Sequence, residues 1–152
     1  MTLTLTINEK EYTAKASFAF LKSVQSLGQF TEQTGKIEGG LEALITALVS
    51  NDIDSLVDFW SAATAHYGKK DKPTREQIEI SLENIIEDGK DIEELFKEAY
   101  KFMRESGFFK KRIKLLWEQI EMMKTSGTTE EKKQENEQTY EQFMKMKAEI
   151  EA

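Results

Sequence analysis

The hydrophobic period of this chain changes once, near Ser17, and that change restricts the fold more than any other feature. Before it, Leu3, Leu5 and Ile7 alternate with Thr2, Thr4 and Thr6, the period-two pattern of a strand with one buried face. Asn8-Glu9-Lys10 is a polar break, and Glu11-Tyr12-Thr13-Ala14-Lys15 reads as a returning strand, so the start predicts a hairpin. After Ser17 the apolar residues step by three and four. Phe20, Val24 and Leu27, with Phe18 and Leu21 alongside, predict an amphipathic helix capped by Ser17 and ended by Gly28. Two strands alone are marginal in water, so the hairpin has to pack on helices. The fold class expected is α+β, mostly α.

The helical period persists to the end. Residues 28–40 are polar and glycine-bearing and read as a loop. Leu41, Leu44, Ile45 and Leu48 mark a short helix, and after Asn51-Asp52 the residues Ile53, Leu56, Val57, Trp60, Ala63 and Thr64 share the face of another, ending near Tyr67-Gly68. Pro73 breaks the chain, since the residue before a proline is pushed out of helical geometry. Thr74 with Gln77 has capping-box spacing and opens a helix bearing Ile78, Leu82, Ile85 and Ile86. Asp91 with Glu94 opens the next, with Ile92, Leu95, Phe96, Ala99, Phe102 and Met103, stopped by Gly107. Phe109, Ile113, Leu116, Ile120 and Met123 stripe a helix over 108–123. Thr128 with Glu131 caps a last helix whose weak stripe is Tyr140, Phe143, Met144, Lys147 and Ile150. The architecture expected is an N-terminal β-hairpin on a bundle of about five helices. Residues 1–124 form the compact body, and residues 125–152 form a linker and a protruding polar C-terminal helix. Because Glu130 to Gln138 contains nothing apolar, that tail is expected to be dispensable for folding.

Chain length fits one domain with a real core: at 152 residues roughly two-thirds of the unfolded surface can be buried. A formal charge of −7 speaks against a nucleic-acid backbone as the main partner, because such binding rests on clustered Lys and Arg. The absence of cysteine removes disulfides, thiolate zinc sites and a cysteine nucleophile, and fits a reducing compartment. No apolar run approaches the roughly 20 residues that span a bilayer, and Met1 to Lys10 lack the basic start and apolar stretch of a signal peptide. These features predict a soluble, cytoplasmic protein.

Little points to catalysis. Neither GxxxxGK[ST] nor GxGxxG occurs. His66 is the single histidine, and its place at a helix end reads as structural. Glu76, Glu79, Glu83, Glu87, Asp88, Asp91, Glu93, Glu94 and Glu98 crowd one region, but without the Asp/Asn ladder of a calcium loop they read as a solvated or docking face. The expectation is no enzyme, with no catalytic, cofactor-binding or metal-binding residues. The following segment is basic: Lys110, Lys111, Arg112, Lys114 and Lys124 interleave with Phe108, Phe109, Leu115, Leu116 and Trp117. Leu115 and Trp117 fall off the main stripe, so some apolar surface is left over for a partner. The candidate partner-binding residues are Phe108, Leu115, Trp117, Tyr140 and Phe143. A basic amphipathic helix also admits an alternative, a small regulator using residues 108–124 to contact nucleic acid or membrane.

The order of features resembles the tail assembly chaperones of tailed phages and prophages of Gram-positive bacteria. The likeness is carried by Met1-Thr-Leu-Thr-Leu-Thr-Ile-Asn8-Glu-Lys-Glu-Tyr12-Thr13-Ala14-Lys15 followed by Phe18-Ala-Phe-Leu21. It continues through Gly40-Leu41-Glu42, the Trp60-Ser61-Ala62-Ala63 helix end, Lys72-Pro73-Thr74 and Ile92-Glu93-Glu94-Leu95-Phe96, covering roughly residues 1–106. Members often have Gly after the turn Asn; Glu9 here leads to the expectation of a turn longer than two residues. The resemblance implies a protein present during tail morphogenesis in the host cytoplasm and absent from the finished virion. It implies the tape-measure protein and tail-tube protein as partners; the lack of an ATP site makes any holding stoichiometric, and no nucleic acid and no membrane are expected as partners. Homo-oligomer formation stays open, as does a longer, frameshifted form. The family has no catalytic residues to carry over.

Overall fold

The computed structural model describes residues 2–152, side chains 36 and 37 excepted; Met1, where the opening motif begins, lies outside. Alternation at the start forms β1 (Thr4–Ile7) and β2 (Lys10–Thr13), antiparallel, with Leu5 opposite Tyr12 and Ile7 opposite Lys10. The connecting turn is two residues, not longer. Asn8 and Glu9 both take left-handed conformations, φ 51° and 67°, which is the turn whose twist matches the flanking strands. Glu9 bears this without being glycine because Leu5, Ile7, Tyr12 and Ala14 are buried and hold the register. Polar contacts seat the hairpin on helices. Ser81 Oγ donates to the Thr6 carbonyl at 2.7 Å, and the Thr13 amide donates to the Tyr67 hydroxyl at 2.8 Å.

Ser17 caps α1 (Phe18–Val24), its Oγ accepting from the Phe20 amide at 3.1 Å. A 3-10 turn over 25–27 follows, and then the structure departs from the expected loop. Gln29–Thr31 and Lys36–Glu38 form β3 and β4, a second antiparallel hairpin with Gln29 opposite Glu38. These strands are three residues each and too short to show a hydrophobic period; their turn is set by Thr31, whose carbonyl accepts from the Thr34 and Gly35 amides.

Helices α2 (Gly40–Val49) and α3 (Asp54–Ala63) make the centre. Leu44, Ile45 and Leu48 of α2 and Phe59, Ala62 and Ala63 of α3 meet Phe20 of α1 in one continuous core. After a single turn, α4 (Gly68–Asp71), come α5 (Arg75–Glu87) and α6 (Ile92–Glu105). The Thr74–Gln77 capping box closes with both bonds, 3.1 and 2.9 Å. Asp91 caps α6 by accepting from the Glu93 amide. The last helices are α7 (Lys110–Met123) and α8 (Glu130–Glu151), the latter capped by Thr129, one residue beyond the expected Thr128.

The mostly helical fold with its N-terminal hairpin is therefore as expected. The protruding last helix is not: α8 folds back along α7 to reach α2 and α6. Its weak stripe suffices for this, since Ile150 is buried in the core and Met146 packs against it. Only the polar start, Glu130 to Gln138, remains largely exposed.

Candidate functional site

Ser106 sets up the entry to α7. Its carbonyl accepts from the amides of Phe109 and Lys110, and its Oγ accepts from the Phe108 amide at 3.1 Å. This turn stacks two adjacent aromatic rings edge-to-face, their centroids 5.4 Å apart, one buried and the other exposed. Phe109 goes inward, fully buried with its ring 4.7 Å from Phe20. Phe108 goes outward, against Phe18 in an edge-to-face pair at 5.1 Å. Buried Phe109 and Ile113, with half-buried Leu116, continue the inward side.

A second apolar line runs along the outer side. Leu115 and Met122 are spaced by seven, two helical turns, so they share a face of α7, and Phe108, seven residues before Leu115 in the preceding turn, is exposed like them. Phe108, Leu115 and Met122 are 41%, 45% and 73% exposed, and Phe18 beside Phe108 is 72% exposed. Lys111 and Arg112 lie along its N-terminal half. Arg112 is anchored by two bonds to the Glu42 carboxylate, 2.6 and 3.0 Å, which fastens α7 to α2. Among the described residues, this ion pair takes α7 to α2 rather than to the acidic helices α5 and α6, where Lys90 pairs with Glu98 at 2.7 Å.

The sequence candidates thus divide. Phe108 and Leu115 lie on the exposed line, joined by Phe18 and Met122. The heptad spacing of 108, 115 and 122 was the available signal for Met122; for Phe18 none was, since its neighbour comes from another helix. Trp117 points the other way, half-buried under α8. Its Nε1 donates to the Tyr100 hydroxyl at 3.1 Å, and the Lys147 ammonium sits 5.3 Å above its ring. Tyr140 lies in the same α7–α8 groove, with the Lys124 ammonium 5.4 Å from its ring, and Phe143 is half-buried on α8. The five candidates do not form one surface.

Tyr100 is fully buried, and its hydroxyl donates to Glu151 at 2.7 Å while accepting from Trp117. Burial, and then the Glu151 carboxylate, push its pKa well above the usual phenol range. Burial also lowers the pKa of His66, which sits in a 3-10 turn after α3 with its ring 4.3 Å from Tyr67, against the pull of the nearby Ala63 carbonyl. These two shifts belong to packing sites rather than to a cleft. No group of three or more His, Asp or Glu residues among the described residues is placed to hold a metal ion. No helix among them is long and apolar enough to cross a membrane. What the arrangement offers chemically is apolar and basic surface along one helix.

The family profile described as "Phage tail assembly chaperone protein, TAC" matches residues 4–118. No curated protein and no solved structure matches the chain. The matched segment takes in both hairpins, α1 to α6 and the first two turns of α7, including Phe18, Phe108 and Leu115, and it leaves α8 outside. Covering most of the sequence, that match places the chain in the phage tail assembly chaperone family.

Proposed function

We propose that the chain serves tail assembly by holding the tape-measure protein along the line Phe18–Phe108–Leu115–Met122 and recruiting tail-tube subunits to it. The observation that supports this is the exposure of four large apolar side chains, Leu115 and Met122 on α7, Phe108 in the turn just before it and Phe18 on α1, beside the Arg112–Glu42 pair that links α7 to α2. A long helical client presents apolar stripes of the same period, and a helix face against a helix groove is a standard mode of recognition. Holding of this kind is stoichiometric and uses neither ATP nor a catalytic residue. The host cytoplasm is where it would act, and the finished virion would lack it.

The test is co-purification with a helical tape-measure fragment, using Leu115→Asp with Met122→Asp. Both sites are exposed, so stability should change by no more than about 0.5 kcal/mol each, while capture of the fragment is lost. Undiminished capture by the double variant would rule out this face. Retention on DNA and on anionic vesicles addresses the regulator alternative; the holding function predicts no salt-sensitive retention on either.

A further inference from the structure

The face beneath α8 has a different character from the exposed line on α7. It is built by α6, α7 and the end of α2. Val49 and Phe96 lie against Met146 and Ile150 of α8, and Trp117 lies against Tyr140, Met144 and Lys147. Tyr100, Trp117 and Arg104 are its polar members nearest the core, and Asn51, Glu93, Lys97, Lys114, Glu118 and Glu121 line its grooves as well. The Glu151 carboxylate accepts from Tyr100 at 2.7 Å and lies 3.6 Å from Arg104.

The cover is weaker than the face deserves. Of the 22 residues of α8, only Ile150 is buried. Residues 130–138 supply no apolar side chain at all. Grooves of about 380 and 330 Å³ stay open where α8 meets α6 and α7. The face is thus filled by a helix that fits it loosely. Lifting α8 would also leave no orphaned polar group, since the Tyr100 hydroxyl, the Trp117 N–H and the Arg104 guanidinium would all be reached by water. The connection from Lys124 to Thr129 carries Gly127 at φ 133° and is tied to α8 by Asn136, whose Nδ2 donates to the Ser126 carbonyl at 3.0 Å, a solvent-exposed contact that water can replace.

We propose that the α2–α6–α7 face is a second helix-docking site, occupied by α8 in the free chain and by an amphipathic helix of a client when α8 is displaced. The chemistry of α8 defines what the face accepts. The incoming helix carries an apolar stripe about 15 Å long, the rise from Tyr140 to Ile150, and a carboxylate in its last turn to meet Arg104 and Tyr100. In this arrangement α8 raises the threshold for clients, because apparent affinity falls with the fraction of chains whose face is open. The inference does not rest on the tape-measure reading, and its probe is the chain's own segment.

The experiment measures binding of a fluorescent peptide of residues 128–152 to the full chain by anisotropy. Ile150→Ala loosens the cover in cis and should raise apparent affinity for the peptide about tenfold or more over the unaltered chain. Adding Arg104→Glu to that variant should remove the gain. Amide exchange on the unaltered chain supplies a readout free of mutation: α8 should exchange at least about tenfold faster than α2 and α3. Peptide uptake by Ile150→Ala no better than by the unaltered chain would overturn the proposal. So would α8 amides as protected as those of α2, which would make α8 part of the core. Conversion of Ile150→Ala to a dimer that takes up no peptide would assign the face to α8 of a second copy, and refute the client reading.

Discussion

Replacing Gly40 by alanine sets helix propensity against sterics, and the two predict opposite signs. Gly40 is the first residue of α2, and alanine there is better by at most about 1 kcal/mol on propensity alone. The added Cβ, however, would land on the Val24 carbonyl oxygen, with the carbonyl carbon at 2.9 Å and Gln25 Cα at 3.3 Å. All three belong to backbone at the end of α1, so no rotamer change relieves the clash. The helices have to part by roughly 1 Å to restore ordinary contact. Phe20, Val24, Leu41 and Leu44 pack across that seam, fully or almost fully buried. Overfilling of this kind costs about 1–3 kcal/mol, more where backbone has to move. Setting the propensity gain against it leaves a net loss of about 2 kcal/mol, a fall in melting temperature of roughly 4–8 °C for a chain of this size. Thermal unfolding followed by circular dichroism measures it. Gly107→Ala is the control, since a Cβ there meets nothing within 4 Å. A melting temperature for Gly40→Ala equal to or above that of the unaltered chain would refute the steric reasoning and show that α1 and α2 have slack.

Three further outcomes are expected. Glu9→Gly should stabilise the chain by about 1 kcal/mol, read as a shifted urea midpoint, because a left-handed residue at φ 67° no longer carries a Cβ. Trp117→Ala should cost about 2 kcal/mol by urea unfolding, less than a fully buried tryptophan because the ring is half-exposed, and should speed amide exchange in α8. His66 should titrate below its ordinary 6.5 by NMR. Its depressed pKa means the folded chain takes up the proton less readily than the unfolded one, so its contribution to stability is present above pH 6.5 and is lost as pH falls through the folded pKa; His66→Gln should flatten that slope.

Legibility in the sequence followed from where each signal was stored. The first hairpin and the body helices were readable because burial imposes a period on them, as in Leu3-Leu5-Ile7 or Phe109-Ile113-Leu116. The second hairpin was not, since three-residue strands carry no period and Gly28 owes its role to the approach of Glu38, ten residues on. Phe18 looked like part of a core stripe, and only the pairing of its helix with the start of α7 leaves it outside. Trp117 lies off the main stripe in the sequence, and its half-burial is hidden there for the complementary reason. Its cover is α8, whose polar composition gives little hint that Ile150 and Glu151 anchor it to the body.

The charge distribution bears on how selective the proposed holding face would be. The chain as a whole carries −7, which keeps copies from collapsing onto one another without selectivity. At physiological salt, charges act over about 8 Å, so a helix lying along Phe108, Leu115 and Met122 senses the charges of α7 itself rather than that total. Nearest the line are Lys111 and Arg112 over the first half of α7 and Glu118 over the second, while Lys114, Glu118 and Glu121 also line the groove towards α8, where Lys124 reaches Tyr140. The line is therefore polarised end to end, basic at the Phe18–Phe108 pair and acidic towards Met122. An apolar stripe alone would accept a helical client in either direction. For the helical client proposed above, the polarity along α7 would make the two directions unequal in energy and favour the one that sets its acidic end over Phe108, the end of α7 that the Arg112–Glu42 pair joins to α2.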